Sequence, residues 1–103
     1  MAVDGRSMVP TLLPGDWLLV DPDAFAVAAP VPGDLLVVAD PRVPARLLVK
    51  RMVARDGVGD LIVAGDAPDA STDSRTFGAI DAAAVAGRPW FRYWPLARLG
   101  KVE

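Results

Sequence analysis

Arg46-Leu47-Leu48-Val49-Lys50-Arg51-Met52-Val53-Ala54-Arg55 is an apolar run with two cations at its middle. Its aliphatic and β-branched content predicts a long strand. Strand alternation puts Leu48, Lys50 and Met52 on one face and Val49, Arg51 and Val53 on the other. A lysine flanked on its own face by Leu and Met is expected to be desolvated. Burial lowers a lysine pKa from its ordinary value of about 10.4, which would make the amine a usable base near neutral pH. The competing reading is an edge-strand lysine whose head reaches water and blocks aggregation.

Outward from this run, a repeated phrase sets the rhythm of the chain. Pro14-Gly15-Asp16, Pro32-Gly33-Asp34 and the looser Gly59-Asp60 each precede a short apolar stretch, at residues 17–20, 35–39 and 61–64. Pro followed by Gly supplies the φ values of a type II turn, so the three stretches read as strands. Residues 20–31 are rich in Ala and Pro and read as a loop or ragged edge. Residues 81–86 suit one or two helical turns, with Asp81 as N-cap and Gly87 ending them. Residues 88–94 form a final strand with four of the seven aromatics. The acids are twelve Asp and one Glu, a balance that favours turns and caps over helix interiors. The expectation is a mainly β chain forming one domain over residues 1–103. About six strands would make a small antiparallel or partly closed barrel or sandwich with one short helical turn.

Composition removes several classes of chemistry. The 103 residues are 52% apolar, carry a net charge of −2 and have scattered cations, which argues against nucleic acid as a partner. No run approaches the roughly 18 apolar residues of a membrane span, and no basic segment followed by an apolar one marks a signal peptide. The chain therefore reads as soluble and cytoplasmic, or membrane-associated if an anchor lies outside it. There is no Cys and no His. Disulfides, thiolate nucleophiles and an imidazole base are thus excluded, and neither a metal nor a cofactor is expected. Lysines number two, Lys50 and Lys101, against nine arginines. A nucleophilic enzyme of this composition has a Lys or a carboxylate as its base.

Two further constellations carry candidate chemistry. In Gly5-Arg6-Ser7-Met8-Val9-Pro10-Thr11-Leu12, Pro10 stiffens the chain just past a serine. That is one way to present a hydroxyl and aim a backbone N–H at a substrate oxygen. An N-terminal arm leading into the first strand explains the same residues equally well. In residues 65–78, four hydroxyl side chains fall within six positions, and Asp73 and Arg75 are spaced to pair. Long ordered loops of this kind are often functional, although a solvated turn-rich loop is their commoner fate.

Taken together and in order, the three segments resemble the catalytic boxes of the type I signal peptidase family, including its mitochondrial inner membrane protease branch. The serine box Ser-Met-x-Pro-Thr-Leu matches residues 7–12, and the Lys-Arg box matches Lys50-Arg51. The last box corresponds to Gly65-Asp66-Ala67, then Ser71-Thr72-Asp73-Ser74-Arg75 and Phe77-Gly78. The resemblance implies a serine endopeptidase with Ser7 as nucleophile and neutral Lys50 as general base. Ser71 would orient the amine, with Asp73 and Arg75 bracing the loop. Met8 and Pro10 would border the substrate. The Ser7 N–H would serve the oxyanion hole, where Gly5 replaces a hydroxyl that some members carry. Ala67 stands where the family usually has Asn. The implied partner is a precursor protein or leader peptide cut after small residues. A short, anchorless member looks like the nickel superoxide dismutase maturation proteases. The alternatives are a non-catalytic β module of the same fold and a self-cleaving repressor-type Ser/Lys peptidase.

Overall fold

The computed structural model describes residues 1–103. Its strands are β1 (Trp17–Asp21), β2 (Leu35–Asp40), β3 (Val43–Arg55), β4 (Leu61–Ala64), β5 (Val85–Trp94) and β6 (Gly100–Lys101). Every pairing is antiparallel. The spatial order is β1-β5-β2-β3-β4, with β6 added to β5. The fold is mainly β, as the residue pattern implies. The sheet stays open, because β1 pairs only with β5 and β4 only with β3.

Strand β2 explains how so small a chain builds two apolar layers. Leu35 and Val37 join Val3, Met8, Leu12, Leu18, Val49 and Val102 on one side. Leu36 and Val38 join Met52, Leu61, Val63 and Ile80 on the other. A strand buried on both faces reads as a continuous apolar run, which is what LLVVA is. Strand β3 obeys the expected alternation: Val49 lies in the first cluster, whereas Met52 and the half-buried Leu48 belong to the second. Lys50 is directly opposite Leu36 in the β2–β3 ladder.

The repeated turn is built twice in the same way. Asp16 N–H donates to Leu13 O (3.1 Å) and Asp34 N–H to Val31 O (3.0 Å), with Gly15 and Gly33 at φ 90° and 98°. Such φ values are open to glycine and costly for other residues. Each Asp then accepts, through Oδ2, from the first residue of its own turn: Leu13 N–H and Val31 N–H, both at 2.9 Å. The aspartate after Pro-Gly is therefore a closing element of the turn.

Three boundaries differ from the sequence expectation. Helix α1 (Ser74–Phe77) occupies part of the polar 65–78 loop. Strand β3 begins at Val43, because Asp40 closes a tight turn by accepting from Arg42 N–H (2.9 Å). The 81–86 segment makes only a 3₁₀ turn, Ala82–Ala84, capped as expected by Asp81, which accepts from Ala83 N–H at 2.8 Å. Gly87 does not end that turn; it lies inside β5. Its role is close approach, since a Cβ there would run into the Asp21 carbonyl where β1 meets β5.

Candidate active site

Ser7 is held on an excursion between two paired segments. Val3 N–H donates to Asp16 O (2.7 Å), Gly15 N–H to Val3 O (2.9 Å) and Leu18 N–H to Met1 O (2.7 Å). Residues 4–14 thus form a loop with closed ends. Within it Val9 N–H reaches Arg6 O and Leu12 N–H reaches Met8 O, while the Ser7 N–H has no backbone acceptor. Met8 and Leu12 anchor the loop in the first apolar cluster. Its far end is fixed by buried Asp16, which accepts from Arg92 (3.0 Å) and Arg98 (3.3 Å). Gly5 sits at φ 74° with open space around it, so the backbone conformation selects glycine there.

Lys50 is 3% exposed, and its amine donates to Ser71 Oγ at 3.0 Å. Burial is the main cause that lowers its pKa; the Asp73 carboxylate opposes this, and the Arg42 and Arg46 charges add to the lowering. Ser71 Oγ donates to Asp73 Oδ2 at 3.2 Å. Asp73 is 1% exposed, caps α1 and also accepts from Gly65 N–H (3.3 Å) and from Arg75 N–H (3.1 Å) and Nε (2.9 Å). Burial by itself would raise the Asp73 pKa. The Arg75 guanidinium, the two backbone amides and the Ser71 hydroxyl outweigh it and lower the value to about 2. An ionised carboxylate only accepts, so the single Ser71 proton is committed to Asp73. Ser71 Oγ is then left to accept from the Lys50 amine, which fixes the direction of the chain.

A depressed aspartate pKa stabilises the fold above its ordinary value of 3.8 and loses that contribution as pH falls toward 2. A shift of this size is worth ~2 kcal/mol. Asp73→Asn is expected to lower Tm at pH 6 by about 10 °C and to flatten the acid-side decline between pH 4 and 2. Thermal melts across that range check it; an unchanged acid limb would contradict the assignment.

Two residues of the third box to which the sequence assigns no role, Gly65 and Asp66, are central to the geometry. Gly65 is where the segments meet: a Cβ there would lie 2.5 Å from Ser7 O and 2.6 Å from Ser71 Cβ. Asp66 ties the boxes together. It accepts from Thr11 Oγ1 at 2.6 Å and from Arg51 Nε (2.9 Å) and Nη2 (2.8 Å) in a two-pronged pair. Arg51 also donates to Gly33 O (2.8 Å), so it reaches from the lysine strand to the second Pro-Gly turn. Ala67 N–H donates to Ser7 O at 2.8 Å, a backbone bond that needs no Asn side chain. The signal for Asp66 was its place after Gly65 in a recognisable box; that for Gly65 was nothing local.

Ser7 and Lys50 line one cleft of about 60 Å³, with Met1, Val3, Met8 and Leu48 among its walls. The Lys50 amine bonds to Ser71 in this structure and makes no hydrogen bond to Ser7. Met8 borders the cleft, whereas Pro10 is exposed and does not. Asp73 and Arg75 stand behind Ser71, away from the opening.

The profile of one family, described as "Signal peptidase, peptidase S26", matches residues 1–58 and 57–94. The chain belongs to the signal peptidase family S26. It is 33% identical over 123 residues to the mitochondrial ATP-independent inner membrane protease subunit 1a of Arabidopsis thaliana, covering 98% of this chain and 73% of that one. It is 30% identical over 118 residues to the mitochondrial inner membrane protease subunit 1 of Xenopus tropicalis, covering 96% and 71%. A shorter match, 38% over 55 residues, joins it to signal peptidase I of Aquifex aeolicus (strain VF5), with 53% of this chain and 22% of that one covered. S26 membership establishes peptidase function at the level of the family. No helix of this S26 protein is long and apolar enough to cross a membrane.

Proposed function

We propose that the protein is a serine endopeptidase in which Ser7 is the nucleophile and Lys50 the general base. The observation that carries this reading is the buried Lys50 amine. Lys50 lines the same cleft as Ser7, and its amine is held by a Ser71 whose own proton points to Asp73. As a neutral amine, Lys50 keeps a lone pair beyond the proton it gives Ser71. That lone pair takes the Ser7 hydroxyl proton as Oγ attacks the scissile carbonyl carbon. The step needs Ser7 Oγ within about 3 Å of the amine, a geometry that bound substrate commonly tightens. The free Ser7 N–H donates to the developing oxyanion. The Lys50 ammonium then protonates the departing amine and the C–N bond breaks, leaving an ester on Ser7. Water, deprotonated by Lys50, hydrolyses the ester and restores both side chains.

The substrate reading is an N-terminal leader or signal peptide cut after a small residue. The apolar walls of the cleft, Met1, Val3, Met8 and Leu48 beside Ser7, support it, since they suit a small apolar side chain next to the scissile bond. Maturation of a nickel superoxide dismutase precursor is the narrower form and rests on sequence resemblance alone. The test is incubation with a leader-bearing precursor of that kind and, separately, with a secretory preprotein, reading the new N-terminus by mass. Removal by wild type but not by Ser7→Ala is the expected result. Equal cleavage by both proteins would overturn the Ser7 assignment, and cleavage of the preprotein alone would rule out the narrower form.

A further inference from the structure

Two charged side chains border the cleft besides Lys50: Asp4 on the N-terminal arm and Arg46 on β3. Both are exposed. The other arginines of β3 are spoken for, Arg51 by Asp66 and the Gly33 carbonyl, Arg55 by the carbonyls of Gly59 and Pro30. Arg42, just before the strand, is held by Asp40 at 3.0 Å. Arg46 takes part in none of the chain's ion pairs. It precedes Lys50 by four residues on the same strand, and alternation puts both on one face. Its charge is near enough to be felt at the Lys50 amine.

We infer that Arg46 sets the charge preference of the cleft, favouring substrates with a carboxylate side chain beside the scissile bond and disfavouring those with a cation there. This rests on the Ser7–Lys50 reading for the place of cleavage, and adds to it a partner chemistry. An unpaired guanidinium is ready to receive a carboxylate, and its desolvation on binding is small because it stands at the rim. Asp4, on the N-terminal arm, would produce the opposite preference if it were the dominant charge.

Three peptides with one small-residue cleavage site, differing only in Glu, Gln or Lys at one flanking position, provide the probe; the set is repeated for each position on either side. For wild type, kcat/KM is expected to be roughly five- to tenfold higher for the Glu peptide than for the Lys peptide at the responsive position, a typical size for a rim charge pair. The difference should lie mainly in KM and shrink with added salt. Arg46→Gln should remove it and Arg46→Glu invert it, read as the ratio of the Glu to the Lys peptide within each variant, because losing the Arg46 charge also weakens the lowering of the Lys50 pKa and so acts on all three peptides alike. Unchanged discrimination in the Arg46 variants, or loss of it in Asp4→Asn instead, would overturn the inference while leaving the dyad standing. Failure of wild type to cleave any of the peptides in a Ser7-dependent way would overturn the dyad reading, and this inference with it.

Discussion

Lys50→Ala is expected to lower kcat/KM on a small-residue peptide by about 10³-fold or more while the protein stays folded. General-base catalysis is worth about 10²- to 10⁴-fold, and no other side chain at the cleft replaces the amine. Its rim charges, Asp4 and Arg46, are exposed, and a guanidinium has no acceptor to take up a proton. The more informative change is Lys50→Arg. If Lys50 acted by its positive charge, a guanidinium would keep much of the activity. If it acts as a base, Arg is as poor as Ala because it has no free lone pair. Lys50→Met separates packing from chemistry, since it keeps most of the buried stem beside Leu48, Leu36 and Met52. We expect all three variants to be inactive, Met to melt nearest to wild type, and circular dichroism to show an intact sheet. Activity of the Arg variant within tenfold of wild type would contradict the role of base.

Gly65→Ala is expected to have the second largest effect, about 10²-fold on kcat with KM little changed. The new methyl has to push away the Ser7 carbonyl, 2.5 Å from its position, and the Ser71 side chain, whose Cβ is 2.6 Å off. In the proposed mechanism these are the backbone of the nucleophile and the side chain that orients the base, so a single methyl would displace both ends of the pair. A misplacement near 1 Å costs about 10²-fold in rate. Overpacking would also cost about 1–3 kcal/mol of stability. Gly57→Ala is the matched control, because Gly57 has no neighbour within 4 Å of a Cβ and an ordinary φ. Kinetics of both variants beside thermal melts check this; a Gly65→Ala enzyme with wild-type kcat would show that the close approach does not position the site.

Much of the fold was legible in the sequence because turns and strands here have local causes. The Pro-Gly-Asp phrases gave the turns, and Leu61–Ala64 follows its Gly-Asp signal residue for residue. The Asp73–Arg75 pair was readable from spacing, since only one residue separates the two. Helix α1 was not readable, because four residues of Ser, Arg, Thr and Phe are too few for a helical period. Its one local sign was Asp73 as a cap. The start of β3 was hidden by Pro41 and Pro44, which break the apolar pattern. Gly87 looked like a helix stop after an alanine-rich run, whereas the crowding that requires it comes from Asp21, far off in sequence.

The site divides along the same line. Residue types and their order within the boxes pointed to Ser7, Lys50, Ser71 and Asp73. The links among the boxes are long-range: Thr11 to Asp66 spans 55 residues and Arg51 to Asp66 spans 15. Side-chain pairs at such distances leave no periodic trace in one sequence. Gly65 is the sharpest case, because its importance lies in what two other segments place against it.

The pH dependence of kcat/KM tests most directly whether Lys50 acts as a neutral base. Burial lowers the folded-state pKa of the amine below its ordinary 10.5. Activity should therefore rise through an apparent pKa well below that value as the ammonium loses its proton, and then level off. Asp73, at about 2, stays ionised throughout and contributes no limb in this range. A rising limb that appears only at the ordinary lysine value, or activity that does not rise with pH, would contradict a desolvated Lys50 as the base that activates Ser7.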